Sequence, residues 1–399
     1  MSRVRRMVLD PLSPEVLEDP YPTYTRLREA GPLCRVGPAS WGVTRHEHVA
    51  PLLNDRRLTN ALPDSDPQFT SQSPEADTLR RLLPTRAAAD HDMLHAAMVR
   101  AFTPRRSRAR AAEAIGEAAT VFEKAAETGA LEVVHDLAFR ISAHVVCDMI
   151  GFEEGTRERL EPWLETLAEA FTPFLPASDD TDATSVLAQF RELVTTQIER
   201  AVADDAQILL TDLAKIAQAR RLPIEDVIDN VCFLTFTGFE TTMNMICTGL
   251  SALARFPEQQ RMLRDSPDLI PRAVEEFVRW DAPIQYTARL LAQEIHVDGH
   301  RLAPGRPVFL LLGSANHDPR SFQAPERFNV ARDPNPHTGF GGGPRGCFGS
   351  ALARAEGAAV LQAMLDGTSW ISEAREPIRR ANPLFRTFSR IDLAVEGPR

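Results

Sequence analysis

From Ile224 to Ala254 apolar side chains recur every three or four residues, with no proline to interrupt them. A helix of that length measures about 45 Å, enough to cross a whole domain, so the remaining chain must pack around it. Thr237-Gly238 near its middle is a poor helix centre, and predicts a kink or local opening there. The same spacing in Val121–Ala126, Phe139–Met149 and Ser185–Ala203, with helices over Asp268–Arg279 and Ser350–Leu365, makes the chain predominantly helical. The helical core is expected at about 90–280 and 350–366.

Strand signals are fewer. Leu33–Val36 and Trp41–Thr44 flank a Gly-Pro-Ala-Ser turn, and Ile295–Val297 and Val308–Leu312 are short β-rich runs between Gly and Pro turns. The β-rich portions are therefore expected at about 33–45 and 284–312, giving a mainly α fold with a small β subdomain. A short helix is expected near Thr23–Ala30. Asn60–Asp90, rich in Pro, Ser, Asp and Thr, reads as a surface or active-site loop. Asn316–Gly346 is a long meander that ends at Cys347.

Composition narrows the function. An apolar fraction of 43% and a charged fraction of 25% are those of an ordinary globular protein. The formal net charge of −10 argues against general nucleic-acid binding. The absence of a run of about 18 apolar residues argues against a membrane span. The start, Met1-Ser-Arg-Val-Arg-Arg, has no apolar core behind it and does not read as a secretory signal, so the chain is expected in the cytoplasm. Positive charge is carried almost wholly by arginine, the lysines being Lys124 and Lys215, a bias we assign to codon usage. Five cysteines occur, an odd number without zinc spacing; Cys34, Cys147, Cys232 and Cys247 read as small buried hydrophobes.

Cys347 stands apart, in Phe340-Gly-Gly-Gly-Pro-Arg-Gly-Cys347-Phe-Gly349. Glycines let the main chain pass close to a large flat ligand. Amides packed around a sulfur tune its electron donation. A helix starting just beyond places its positive end beside the sulfur and favours the thiolate.

This decapeptide resembles the haem-binding signature of the cytochrome P450 family, with Arg345 at its basic position and Phe340, Gly341 and Gly349 at its aromatic and glycine positions. Further motifs follow in that family's order, so the resemblance covers essentially the entire chain. Glu276-Phe-Val-Arg279 resembles its E-x-x-R, paired by the family with an arginine in the meander, here matched to Arg327. E-x-x-R alone is common on solvated helices; the ordered trio is not. Thr237-Gly-Phe-Glu-Thr241-Thr242 resembles A-G-x-[DE]-T-T, whose acid–alcohol pair, here Glu240 and Thr241, feeds protons to dioxygen.

The resemblance implies a single domain over 1–399: a helix-rich triangular prism with haem b between the long helix and the cysteine loop, Cys347 as iron ligand. It assigns the propionates to His91, His95, Arg289 and Arg345, although a histidine pair at i, i+4 also suits a metal. It places substrate against the irregular Ala61–Arg86 loop, Leu234, Thr237, Gly238, Ile284, Gln285 and Phe385.

Some positions depart from the pattern. Position 95 is more often arginine or lysine, and His317 replaces the arginine of A-N-R-D-P. Thr237 replaces alanine; its hydroxyl either meets a substrate group or water, or bonds its own helix backbone.

The activity implied is monooxygenation of a small, largely apolar metabolite, with specialised-metabolite tailoring favoured. Oxidative coupling, ring formation or peroxide-driven turnover on the same scaffold is the enzymatic alternative, and a haem sensor or ligand carrier the non-enzymatic one. Arg100, Arg105, Arg106 and Arg108, with Arg110 and Arg354, form a basic patch on an acidic chain. It reads either as a solvated turn or as the docking face for an acidic ferredoxin, itself served by a ferredoxin reductase. The chain is expected to act as a monomer.

Overall fold

The computed structural model describes residues 7–36, 40–59, 78, 80–83, 95–96, 98–171, 181–206 and 208–398. His91, most of the Asn60–Asp90 stretch and most of the Ala61–Arg86 loop lie outside the described residues.

The principal elements in chain order begin with β1 (Val8–Leu9), α1 (Pro20–Ala30), β2 (Leu33–Val36), β3 (Ser40–Val43), α2 (His46–Leu52) and β4 (Leu58–Thr59). Then come α3 (Pro104–Thr128), β5 (Ala130–Glu132), α4 (Arg140–Ile150), α5 (Thr181–Ala203), α6 (Ile224–Arg255) and α7 (Ile270–Trp280). The last part holds β6 (Thr287–Leu291), β7 (Ile295–Val297), β8 (His300–Leu302), β9 (Pro307–Leu310), α8 (Ser350–Gly367), β10 (Trp370–Glu373), β11 (Ile378–Arg379), β12 (Phe388–Arg390) and β13 (Asp392–Glu396).

The chain folds into two compact units, each assembled from separated stretches of sequence. The first holds Met1–Pro63, Cys247–Cys347 and Ser372–Ile391; the second holds Asp64–Ile246, Phe348–Ile371 and Asp392–Arg399. The sequence boundary between them falls inside α6.

In the first unit a six-stranded sheet has the order β1-β2-β3-β9-β6-β4. β2 and β3 form the expected hairpin, Leu33 opposite Val43, and β3 then pairs parallel with β9. Trp41, Val43, Leu58, Leu291, Val308 and Leu310 put the apolar face of this sheet into one core with Val49 and Leu52 of α2. α7 packs against the C-terminal part of α6 because Gly249 leaves room for the Phe277 ring; a Cβ at 249 would lie inside that ring's van der Waals envelope.

In the second unit α3 and α8 pack side by side and run in the same direction. Phe102, just before α3, meets Phe348, just before α8, while Phe122 lies against Gly367 at the far end. α3 has Thr103 as N-cap, its hydroxyl accepting from Arg106 N at 3.4 Å, proline at its start, and Gly129 in the left-handed region (φ 76°) at its end. The sheet β10-β13-β5, with Leu393 opposite Leu131, goes beyond the strands expected from sequence, although Asp392-Leu-Ala-Val-Glu alternates as a strand should.

α6 is helical from Ile224 to Arg255, including the Thr237-Gly238 pair. Gly238 answers to packing: a side chain there would collide with Val146 of α4.

Candidate functional site

Cys347 is exposed, whereas Cys34, Cys147, Cys232 and Cys247 are buried and free of disulfides. Burial pushes the Cys34 and Cys147 thiols up to about 12 and that of Cys232 higher still, so these three are held as neutral thiols.

The loop before Cys347 is built by its own main chain. Cys347 N donates to Phe340 O at 2.9 Å, Gly341 N to Thr338 O at 2.8 Å, and Gly346 N to Gly343 O at 3.0 Å, around a 3₁₀ turn at Gly343–Arg345. Gly341 and Gly343 have φ of 66° and 64°, the left-handed region where a Cβ is strained. Gly343 also packs on the end of α2, where a Cβ would lie 2.9 Å from Leu53 O. The loop base is fastened by Asn316, whose Oδ1 accepts from Thr338 N (2.7 Å) and Thr338 Oγ1 (3.0 Å). Three residues after Cys347 begins α8, 18 residues long, with its positive end toward the sulfur in sequence.

Arg289 of β6 is 7% exposed. Its guanidinium donates to Thr287 Oγ1 and, at 2.9 Å, to Ala288 O. Burial, and then the like charge of Arg345, lower its pKa to about 10. An anion would relieve the repulsion that Arg345 exerts on the desolvated Arg289, and paired carboxylates such as haem propionates carry that charge. Among the described residues no group of three or more His, Cys, Asp and Glu could chelate a bare ion. An exposed sulfur on a glycine loop, in the same unit as the buried Arg289, suits an iron that brings its other ligands with it, as haem iron does, and the residues present fit the group. His95 is half-buried, with its ring edge-on to Phe348 at 5.5 Å.

On α6, Phe233, Thr237, Gly238 and Thr241 keep accessible surface where their neighbours are buried. Their spacing puts them on one stripe, and Leu234 falls within the same arc but is buried. Thr237 Oγ1 donates to Phe233 O at 2.8 Å and Thr241 Oγ1 to Thr237 O at 2.7 Å. Thr237 thus makes the backbone bond, while its oxygen keeps acceptor capacity. Glu240 is fully buried, and its Oε1 accepts from Asn244 Nδ2 at 3.1 Å. Asn244 was missed from sequence; its position four residues on from an acid was the available signal.

Two assignments require correction. Arg327 is exposed and contributes its main-chain carbonyl, which accepts from Arg279 Nη2 at 3.2 Å. The third charge belongs to Arg332, whose Nε donates to Glu276 Oε2 at 3.0 Å, beside Arg279 Nε at 2.7 Å. The meander turns back on itself between the two, which brings Arg332 inward and leaves Arg327 outside. Gln285 is also buried, its Nε2 donating to Ala282 O at 2.9 Å and its amide packed against Gly313, so its side chain is spent on packing rather than presented to a ligand. Ile284 is half-buried and forms an isolated antiparallel bridge with Phe385.

His317 does not take over the role of the arginine it replaces: buried, it donates from Nε2 to Trp280 O at 2.8 Å and lies over Tyr21. Arg100, Arg105, Arg106 and Arg108 are exposed near the start of α3, and Arg354 is exposed on α8 beside it. Arg110 is engaged by Glu113 at 3.0 Å and by Asp148 at 2.5 Å.

The family model that matches this chain is Cytochrome P450, over residues 174–389. A biotin biosynthesis cytochrome P450 from Bacillus subtilis is 32% identical, over 88% of this chain and 90% of its own. A 6-deoxyerythronolide B hydroxylase from Saccharopolyspora erythraea is 27% identical over 95% and 96%. Among solved structures, P450BioI in complex with a hexadec-9Z-enoic acid ligated acyl carrier protein superposes with a TM-score of 0.86 at 30% identity, over 96% of this chain and all of that one. CalO2 superposes with a TM-score of 0.89 at 26% identity, over 98% and 99%.

Proposed function

The chain belongs to the cytochrome P450 family of haem-dependent oxidoreductases, and on that premise we propose that it inserts one atom of dioxygen into a small, largely apolar metabolite as a tailoring step in specialised-metabolite biosynthesis. The observation that carries the reading is the exposed Cys347 on its glycine loop, in the same unit as the buried Arg289 charged against Arg345. Relatives named for biotin biosynthesis and for hydroxylation of 6-deoxyerythronolide B support a biosynthetic role.

When bound, the haem supplies an iron that activates dioxygen under electron donation from a thiolate. Cys347 would hold that iron. Arg289 and Arg345 would receive the propionates, whose charge would relieve the repulsion between them, and the resemblance adds His91 and His95 to the set. Thr241 directs its proton at Thr237 O, so its oxygen is open to accept, and a χ1 rotation re-aims the proton. Glu240 lies roughly 100° round the helix from Thr241. A bridging water would link its carboxylate, whose Oε1 accepts from Asn244, to Thr241 Oγ1. We assign substrate contact in the second unit to Thr237 and Gly238, which keep accessible surface on α6 where Leu234 does not, and in the first unit to the half-buried Ile284 and its bridge partner Phe385.

Electrons come from a ferredoxin reduced by its reductase, with the exposed arginines of α3 and α8 as the docking face. Among the described residues no helix is long and apolar enough to cross a membrane. The reading takes residues 1–399 as one catalytic domain, acting as a monomer in the cytoplasm.

The reduced, carbon monoxide-bound difference spectrum tests it. A strongly red-shifted Soret band, lost in Cys347→Ser, is expected. A band typical of histidine-ligated haem in the folded protein would remove Cys347 from the iron and overturn the mechanism. Spin-state shifts on titration with candidate metabolites then identify the substrate.

A further inference from the structure

We propose that Asp281 is a positioning residue for substrate selectivity: through Arg386 it holds the register in which Phe385 faces its partner Ile284. The inference rests on the reading of Ile284 and Phe385 as substrate contacts.

Asp281 directly follows α7 and its side chain is 4% exposed. It gathers three donors from distant parts of the chain: Tyr21 OH of α1 at 2.7 Å, Arg379 Nη2 of β11 at 2.7 Å, and Arg386 Nε at 3.1 Å. Arg386 is itself buried and donates onward to Leu17 O (3.0 Å) and Glu18 O (3.2 Å). Its position is therefore fixed from both ends.

What Arg386 fixes is a very short pairing. Arg386 N donates to Pro283 O at 3.0 Å and Gln285 N to Leu384 O at 2.9 Å, with the Ile284–Phe385 bridge between them. Asn382 Oδ1 shapes the approach, accepting from Leu384 N and Phe385 N, both at 2.9 Å. A ladder of two bonds specifies register weakly, because side chains alternate faces and a slip of one residue exchanges every side chain for its neighbour. Such a slip would turn Phe385 away and bring Leu384 or Arg386 to its place. It would also pull Arg386 off Asp281, breaking a buried charge-assisted contact that salt screens far less than a surface pair. The ion pair thus chooses which side chain faces Ile284, although Asp281 itself need not touch a ligand.

The test uses the haem-loaded protein and two probes that both ligate the iron through nitrogen: imidazole, which reports access to the iron, and the bulky clotrimazole, which also reports the surrounding walls. Dissociation constants come from optical titration of the wild type, Phe385→Leu, Asp281→Asn and Arg379→Gln. Phe385→Leu shows whether the probes sense this turn. We expect it and Asp281→Asn to change the clotrimazole-to-imidazole ratio by about tenfold, the scale at which one pocket wall is resolved, with the carbon monoxide spectrum unchanged. Arg379→Gln, a milder loss from the same carboxylate at a partly exposed side chain, shifts the ratio less and in the same direction, and decides the matter if Asp281→Asn does not fold. A ratio that moves in Phe385→Leu but in neither other variant overturns the positioning role, as does an equal loss of affinity for both probes. A ratio unmoved by Phe385→Leu removes the substrate-contact reading beneath it.

Discussion

His317 lies 4.1 Å from Tyr21 between ring centroids and donates from Nε2 to Trp280 O, which requires the neutral ring to carry its proton there. Burial first, and the nearby charge of Arg279 second, lower its pKa to about 3. The unfolded value is roughly 6.5, so between these limits the unfolded chain binds the extra proton. Stability therefore falls as pH drops from about 6.5 toward 3, with a slope of up to about 1.4 kcal/mol per pH unit. Asp281 is held well below the usual carboxylate range, since Arg386 and Arg379 outweigh its burial, and its own loss begins only below about pH 4. His317→Gln retains a donor for Trp280 O but no titration. Its melting temperature should be flatter between pH 7 and 4.5 than that of the wild type by circular dichroism; parallel curves would remove His317 as the source of the slope. Gly249 supplies a second residue-scale case. Alanine in a helix interior gains about 0.5–1 kcal/mol over glycine, but at 249 the methyl meets the Phe277 ring, and overpacking costs about 1–3 kcal/mol. Gly249→Ala should lower the urea midpoint, and a raised midpoint would show that the ring can yield.

At the scale of elements, the meander is hung on one turn of α7. Glu276 accepts from Arg279, from Arg332 Nε at 3.0 Å, from Asn329 N at 2.9 Å and from Asn335 Nδ2 at 3.3 Å. Arg279 in turn donates to the carbonyls of Asn316, Pro325 and Arg327. Without Arg332, Glu276 keeps Arg279 as counter-charge, but its Oε2 loses a donor and the carbonyls of Gln323, Ala324 and Arg327 lose theirs, a combined cost of about 3 kcal/mol. Arg332→Ala should be destabilised by about that amount in urea unfolding. Arg327→Ala, which keeps the carbonyl, should change stability by about 0.5 kcal/mol or less. The reverse order would restore Arg327 to the trio. The long helix presents a similar lesson, since Thr237-Gly238 is a weak helical pair by propensity, yet the segment stays helical where Gly238 admits Val146.

At the scale of the whole molecule acidic residues predominate, yet a chain of net charge −10 exposes Arg100, Arg105, Arg106, Arg108 and Arg354 on one packed pair of helices and the residue leading into it. An acidic electron donor should be steered there, with attraction screened over about 10 Å at 0.1 M salt. Reduction by an acidic ferredoxin, followed by stopped flow, should slow with added salt. The pair Arg105→Glu, Arg106→Glu should slow it by about tenfold at low salt; a rate insensitive to both would place docking elsewhere. The sequence by itself determined the helices with strong periodicity, the β2–β3 hairpin, the Cys347 loop and the E-x-x-R turn, because periodicity, turn chemistry and i, i+3 spacing are local properties. The tertiary structure alone decided which arginine completes the Glu276 network, that Gln285 turns inward, that Asn244 engages Glu240, and that β5 and β13 pair across about 260 residues. Those outcomes depend on which distant segments the fold brings together. Burial then forces each polar group to find its partner among the side chains and carbonyls placed within reach.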